Sequence, residues 1–305
     1  MRKLNMPVSA EMMERWFRGQ LNYSPTESDE AKGLNQAGQP YPPSMIDKSI
    51  ITMDWVLKFR RARSAFENLT EQSYYAKDSW TGKLEARPQL YTHSILRTKG
   101  TNEKLRKSLI PFWQSQAPIS TWRVCNQDIE KLHQDFQFQF LQVNGSLPQK
   151  IAEQLRVALS QGIPDDLTGA LGSFNFYAAV SRFHIERNGK NVIAVVTDIA
   201  VYVKDSYTFT TNPGKPSQYL GHWNKRSAVI SSYAAVSSEF VDADYPLVVD
   251  KKPVRPGTFL EDMIYYPVRN RSFRDWQNKH RQGGDFIAYS DLSRVRLGTP
   301  IRVML

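Results

Sequence analysis

The chain has 305 residues, 41% hydrophobic and 12% aromatic, with 40 Lys and Arg against 30 Asp and Glu, a formal charge of +10. That composition excludes a disordered, collagen-like or low-complexity chain, and a chain this long can bury one large core or two smaller ones. The lone cysteine, Cys125, excludes an intrachain disulfide and argues against a cysteine-based zinc site; a small buried apolar side chain is its expected role.

In chain order, Ser9–Gly19 is predicted to be a helix with Ser9 as N-cap, Met12, Met13, Trp16 and Phe17 on one side and Gly19 as the stop. The start, MRKLNMPVSAEMMERWF, holds no apolar segment of signal-peptide length. Residues 21–43 read as a loop. Thr52–Leu69 is predicted to be one amphipathic helix, because Trp55, Phe59, Ala62, Phe66 and Leu69 recur at three- and four-residue steps. A strand is expected within Lys83–Thr98. Gln127–Phe140 reads as helix or strand, with the alternation of Phe136, Phe138 and Phe140 with glutamines favouring strand at its end. Pro148–Gly162 is predicted helical and Ile163–Gly172 a connector.

The period then changes to two. Ser173–Arg187 and Asn191–Val203 are predicted strands joined at Asn188-Gly189-Lys190, a hairpin signal. Further strands are expected in Ala228–Val236, Phe259–Val268, Asp285–Tyr289 and Ile301–Leu305. The fold class expected is α+β, with a mostly helical docking or adaptor region over 1–146 and an antiparallel β-rich domain over 147–305. The most apolar stretch, Val192–Val203, is interrupted by Asp198 and too short to span a bilayer. A transmembrane segment is therefore not expected, and the chain reads as cytoplasmic in its producing cell, with delivery into target cells left to a machine that needs no signal peptide.

Three clusters can carry chemistry. Asp205 and Tyr207 close the second strand of the hairpin; Asp205 suits a divalent cation or a general base and Tyr207 a phosphate, or Asp205 ties down the following turn. His222 and Trp223 follow, the imidazole as an acid–base group or as a packed residue, the indole as core or binding surface. Phe273–Phe286 is the densest: Asp275, His280, Arg281 and Asp285 supply a base, an orienting or metal-binding carboxylate and a charge clamp, the minimum for phosphodiester chemistry. The bland reading is a helix whose basic end suits its dipole, stopped at Gly283-Gly284. Residues 251–305 hold eleven Lys and Arg against five Asp and Glu, a stretch that can meet nucleic acid or stand as a solvated basic face. Phosphate-loop, dinucleotide-binding, His-Glu-x-x-His and Gly-x-Ser-x-Gly patterns do not occur, which argues against the commonest enzyme classes.

Met6–Phe17, Met53–Leu57, Tyr202–Phe209, Gln218–Trp223, Phe273–Trp276, Gly283–Phe286 and Tyr289–Asp291 are together similar to an uncharacterised bacterial domain family encoded beside type VI secretion spike and tip proteins. The resemblance implies an antibacterial effector or cargo protein partnered by a spike or tip protein or a cognate immunity protein. The family's Asp-x-Tyr-Asp-Phe, which reads Asp205-Ser-Tyr-Thr-Phe209 here, also resembles the acidic motif of colicin M-type phosphodiesterases, with Thr208 departing from it. If the chain is a toxin, the clustering of these residue types near strand ends and the Gly283-Gly284 turn points to Asp205, His222, Asp275, His280 and Arg281 hydrolysing a phosphodiester or envelope precursor, with Tyr207, Trp223, Asp285 and Asp291 binding. No cofactor is evident, and a divalent metal is the one such a site could take. The alternative is a non-enzymatic adaptor or nucleic-acid-binding module.

Overall fold

The computed structural model describes residues 1–70, 75–77, 84–86, 99–143, 165–211, 217–224, 228–229, 247–248 and 264–305. Its helices are α1 (Pro7–Arg18), α2 (Glu27–Ala31), α3 (Met53–Val56), α4 (Arg60–Thr70), α5 (Lys99–Leu109), α6 (Thr121–Val124), α7 (Ile129–Phe136), α8 (Asp166–Leu171) and α9 (Asn270–His280). Its strands are β1 (Ile46–Asp47), β2 (Tyr75–Lys77), β3 (Leu84–Ala86), β4 (Ile119–Ser120), β5 (Gln137–Val143), β6 (Phe174–Asn188) and β7 (Asn191–Tyr207). They continue as β8 (Tyr219–Trp223), β9 (Ala228–Val229), β10 (Leu247–Val248), β11 (Ile264–Arg269), β12 (Phe286–Tyr289) and β13 (Ser293–Met304). The chain is α+β, helical toward its N-terminus and antiparallel β-rich toward its C-terminus. The helix expected over 148–162 lies outside the described residues, as do most of 83–98, 230–236 and 259–263. The chain clusters into two units, each drawn from three separated segments: residues 1–50, 144–173 and 205–288, and residues 51–143, 174–204 and 289–305.

In the first unit, α1 starts at Pro7, where the missing N–H costs nothing. Ser9 is not its N-cap, as its sequence suggests. The backbone N–H groups of Val8 and Ser9 donate instead to Asp166 Oδ2 and Oδ1 at 3.1 and 2.8 Å, and the Ser9 hydroxyl also donates to that residue. The carboxylate comes from α8, where a connector was expected; Asp165 caps that helix by accepting from the Thr168 N–H at 2.8 Å. Trp16 is fully buried, with Phe17, Phe209 and Phe273 edge-on around it at 5.0–5.3 Å. Gly283 has φ +99, and a Cβ on Gly284 would stand 2.7 Å from the Gln20 carbonyl oxygen, so the backbones approach as only glycine allows. A small antiparallel sheet runs β10-β11-β8-β9, and β1 lies parallel to β12.

The second unit is built on the β6–β7 hairpin. Asn188 pairs with Asn191 and Gly189 takes φ +58, the two-residue turn that Asn-Gly announces. β4 and β5 pair with β6, and β13 pairs with β7. Leu141, Phe176 and Val203 share one face by register, and Phe66 of α4 meets Phe176 there at 6.0 Å. The helix expected over 52–69 is two helices. After α3 the chain turns through Leu57–Phe59, and Arg63 Nε takes the Leu57 carbonyl at 2.9 Å, satisfying the group the break exposes. Gln127–Phe140 resolves into both readings, with α7 running straight into β5. Cys125 is buried, which pushes its thiol up to about 11, as suits a packing residue.

Candidate functional site

The sequence-nominated residues of the first unit take separate stations. Asp275, His280 and Arg281 are exposed, His280 lying against Trp276 at 4.8 Å and Arg281 closing α9 in the left-handed conformation. Asp285 is fully buried and committed: Arg274 donates to both its oxygens at 2.9 and 2.6 Å, and Trp16 Nε1 donates to Oδ1 at 3.0 Å. Burial outweighs those partners and holds its carboxyl above the ordinary range. His222 is buried in β8 with Nδ1 bonded to the Tyr219 hydroxyl. Trp223 packs on Leu4 and Met6 and donates to the Leu220 carbonyl at 2.9 Å.

Asp205 is half-buried, and burial, followed by the charge of Glu30, raises its pKa well above the usual carboxylate range. Glu30 is raised by burial too, although the hydroxyls of Thr210 and Thr208 donate to it. Tyr207 stacks on Phe286 at 5.1 Å, its hydroxyl on Met13 Sδ. In the second unit, Asp291 accepts the Met53 N–H at 2.6 Å and so caps α3. Among the described residues no three His, Cys, Asp or Glu side chains are grouped to hold a metal ion.

The second unit holds a titratable cluster that the sequence reading missed. His133 on α7 contacts the Tyr202 hydroxyl through Nδ1 at 2.9 Å and Lys204 Nζ through Nε2 at 3.3 Å. Burial, then the charges of Lys204 and Lys104, push His133 down to about 4, so the ring is neutral at pH 7. A lysine ammonium can only donate, which fixes the relay: Lys204 donates to Nε2, and Nδ1–H faces the Tyr202 oxygen. Burial also draws Lys204 below its ordinary range, against Glu130. Tyr177, Tyr202 and Tyr289 wall the site, with ring centroids 4.9, 5.9 and 6.1 Å from His133. Burial keeps the phenols of Tyr202 and Tyr289 protonated. The arrangement can offer a cation, a neutral imidazole and aromatic surface to a ligand.

Register extends this wall outward. Phe140 on β5 pairs with Tyr177 on β6, which pairs with Tyr202 on β7, and the neighbouring row on the same face is Gln142, Asn175 and Lys204. Phe140 is 52% exposed. The sequence signals were the Phe–Gln alternation of β5 and the Tyr-x-Lys spacing at 202–204; the register that joins them was not legible.

Residues 1–305 match the model of a family described as a family of unknown function, DUF6402. The chain belongs to DUF6402. Neither a curated protein nor a solved structure matches this DUF6402 chain. Among its described residues no helix is long and apolar enough to cross a membrane.

Proposed function

We propose that this DUF6402 chain is an effector or cargo protein of contact-dependent bacterial competition, carried by a type VI secretion spike or tip protein, and that it works by binding through the face around Lys204. The similarity to a family encoded beside such spike and tip proteins supports the setting. The observation that carries the mode of action is the Lys204–His133–Tyr202 relay in an aromatic wall: a lysine held by a neutral imidazole is aimed and costs little further ordering when an anion arrives. Hydrolysis is the second reading, favoured by the Asp205–Glu30 pair, in which one carboxyl with a raised pKa can serve as an acid while the other accepts a proton.

Co-expression of the full chain with a type VI spike or tip protein tests the setting: co-elution is expected, and separate elution at low salt overturns it. Expression of the full chain in cytoplasm and in periplasm separates the modes. Growth arrest relieved by Lys204→Met and kept by Asp205→Asn supports binding; the reverse supports hydrolysis. Harmless expression in both compartments removes the effector half of the reading and leaves the cargo half to the co-elution.

A further inference from the structure

We infer that the sheet face bearing Phe140, Gln142, Asn175, Tyr177 and Lys204 binds single-stranded nucleic acid, seating a base on the Phe140–Tyr177 rings and a phosphate at Lys204. The inference rests on the reading that this face is the working surface, and adds what it binds. Phe140 stands mid-strand with about half of its surface in water, while Phe138 on the same strand is buried, so packing accounts for the second ring and not for the first. Phe140 and Tyr177 lie 6.0 Å apart at 41°, two tilted rings on adjacent strands that offer successive stacking surfaces.

Beside them Gln142 is exposed and Asn175 half-buried, amides with donors and acceptors for base edges. Across the row Lys204 donates to His133, which leaves two of its three protons for a phosphate oxygen. Lys204 stands one row along from these rings, one strand spacing (about 5 Å) across from Tyr177 and two (about 10 Å) from Phe140. The charge is complementary: the chain carries +10, and Arg294, Arg296 and Arg302 of β13 are exposed in the same unit, Arg302 paired with Glu186. The bases of a duplex are stacked on one another and cannot lie on these rings, so the occupant is a single strand.

Fluorescence anisotropy of the full chain with labelled oligo(dT) and oligo(rU) of about ten nucleotides tests it, alongside a duplex of the same length and thymidine monophosphate as competitor. Binding is expected with either strand, weakening as salt rises from about 50 to 200 mM. Phe140→Ala should weaken it roughly five- to a hundredfold. Lys204→Met should weaken it and flatten the salt dependence. Trp113→Ala, at another exposed ring of the same unit, should leave it unchanged. Because Phe140 is exposed, an unaltered urea midpoint for Phe140→Ala separates lost binding from lost folding. Absence of binding at low salt, equal affinity for duplex, displacement by the monophosphate at strand-equivalent concentration, or binding unchanged by Phe140→Ala would overturn the inference. Neither co-elution with the spike protein nor growth arrest enters this readout, so the two readings fail separately.

Discussion

Asp285→Asn removes one charge from a pair in which Asp285 has no exposed side-chain surface and Arg274 keeps 15% of its own. The amide retains an acceptor for Trp16 Nε1, so the indole bond survives and the loss isolates the electrostatics. A cation stranded by removal of its buried partner costs about 3–5 kcal/mol. The small solvent access of Arg274 puts the expectation at the lower end, about 3 kcal/mol. Burial already outweighs the partners of Asp285, so the pair does not fully offset the desolvation of its carboxylate. Hence Arg274→Met on its own should cost about 3 kcal/mol by leaving the carboxylate unpaired, yet Arg274→Met with Asp285→Asn strands no charge and should return to within about 1.5 kcal/mol of wild type. Urea denaturation at pH 7, with all four chains compared at equal slope, measures this. A double variant as unstable as the two single losses added together would refute the reasoning.

Three further outcomes are expected. The folded-state pKa of His133 lies below its ordinary value, so its contribution is complete above about pH 6.5 and lost as pH falls through about 4. That shift is at most about 3 kcal/mol and roughly half of it after screening of a partly wet ring, so wild type should lose that much more stability than His133→Gln between pH 7 and 4. Gly284→Ala should lower stability by about 1–3 kcal/mol, because its Cβ meets the Gln20 carbonyl and Met45 below 3 Å; an unchanged urea midpoint would count against that close approach. Asp166→Ala removes the acceptor for two N–H groups and one hydroxyl at the start of α1 and should cost about 1–2 kcal/mol, read by thermal unfolding; Ser9→Ala, which deletes only the hydroxyl, should cost less.

Local chemistry was legible and remote partners were not. The hairpin was readable because Asn188-Gly189 and the alternation around it act within a few residues. α1 was readable as a helix, yet its cap comes from Asp166, more than 150 residues away, so local signals chose Ser9 instead. Asp275, His280 and Arg281 stood out by type, but on α9 the committed residues are Arg274 and Gln277, which face Asp285 and the Gly283 carbonyl. The Lys204 face needed a register between β5, β6 and β7 together with a ring from α7, and nothing in the spacing of Phe140, Tyr177 and Tyr202 encodes that meeting.

Because β13 pairs with β7 across more than eighty intervening residues, the hairpin unit stays incomplete on the ribosome until β13 has emerged. Proteolysis between residues 143 and 174 would sever segments belonging to both units, so neither half released by such a cut carries a whole set of its own core strands.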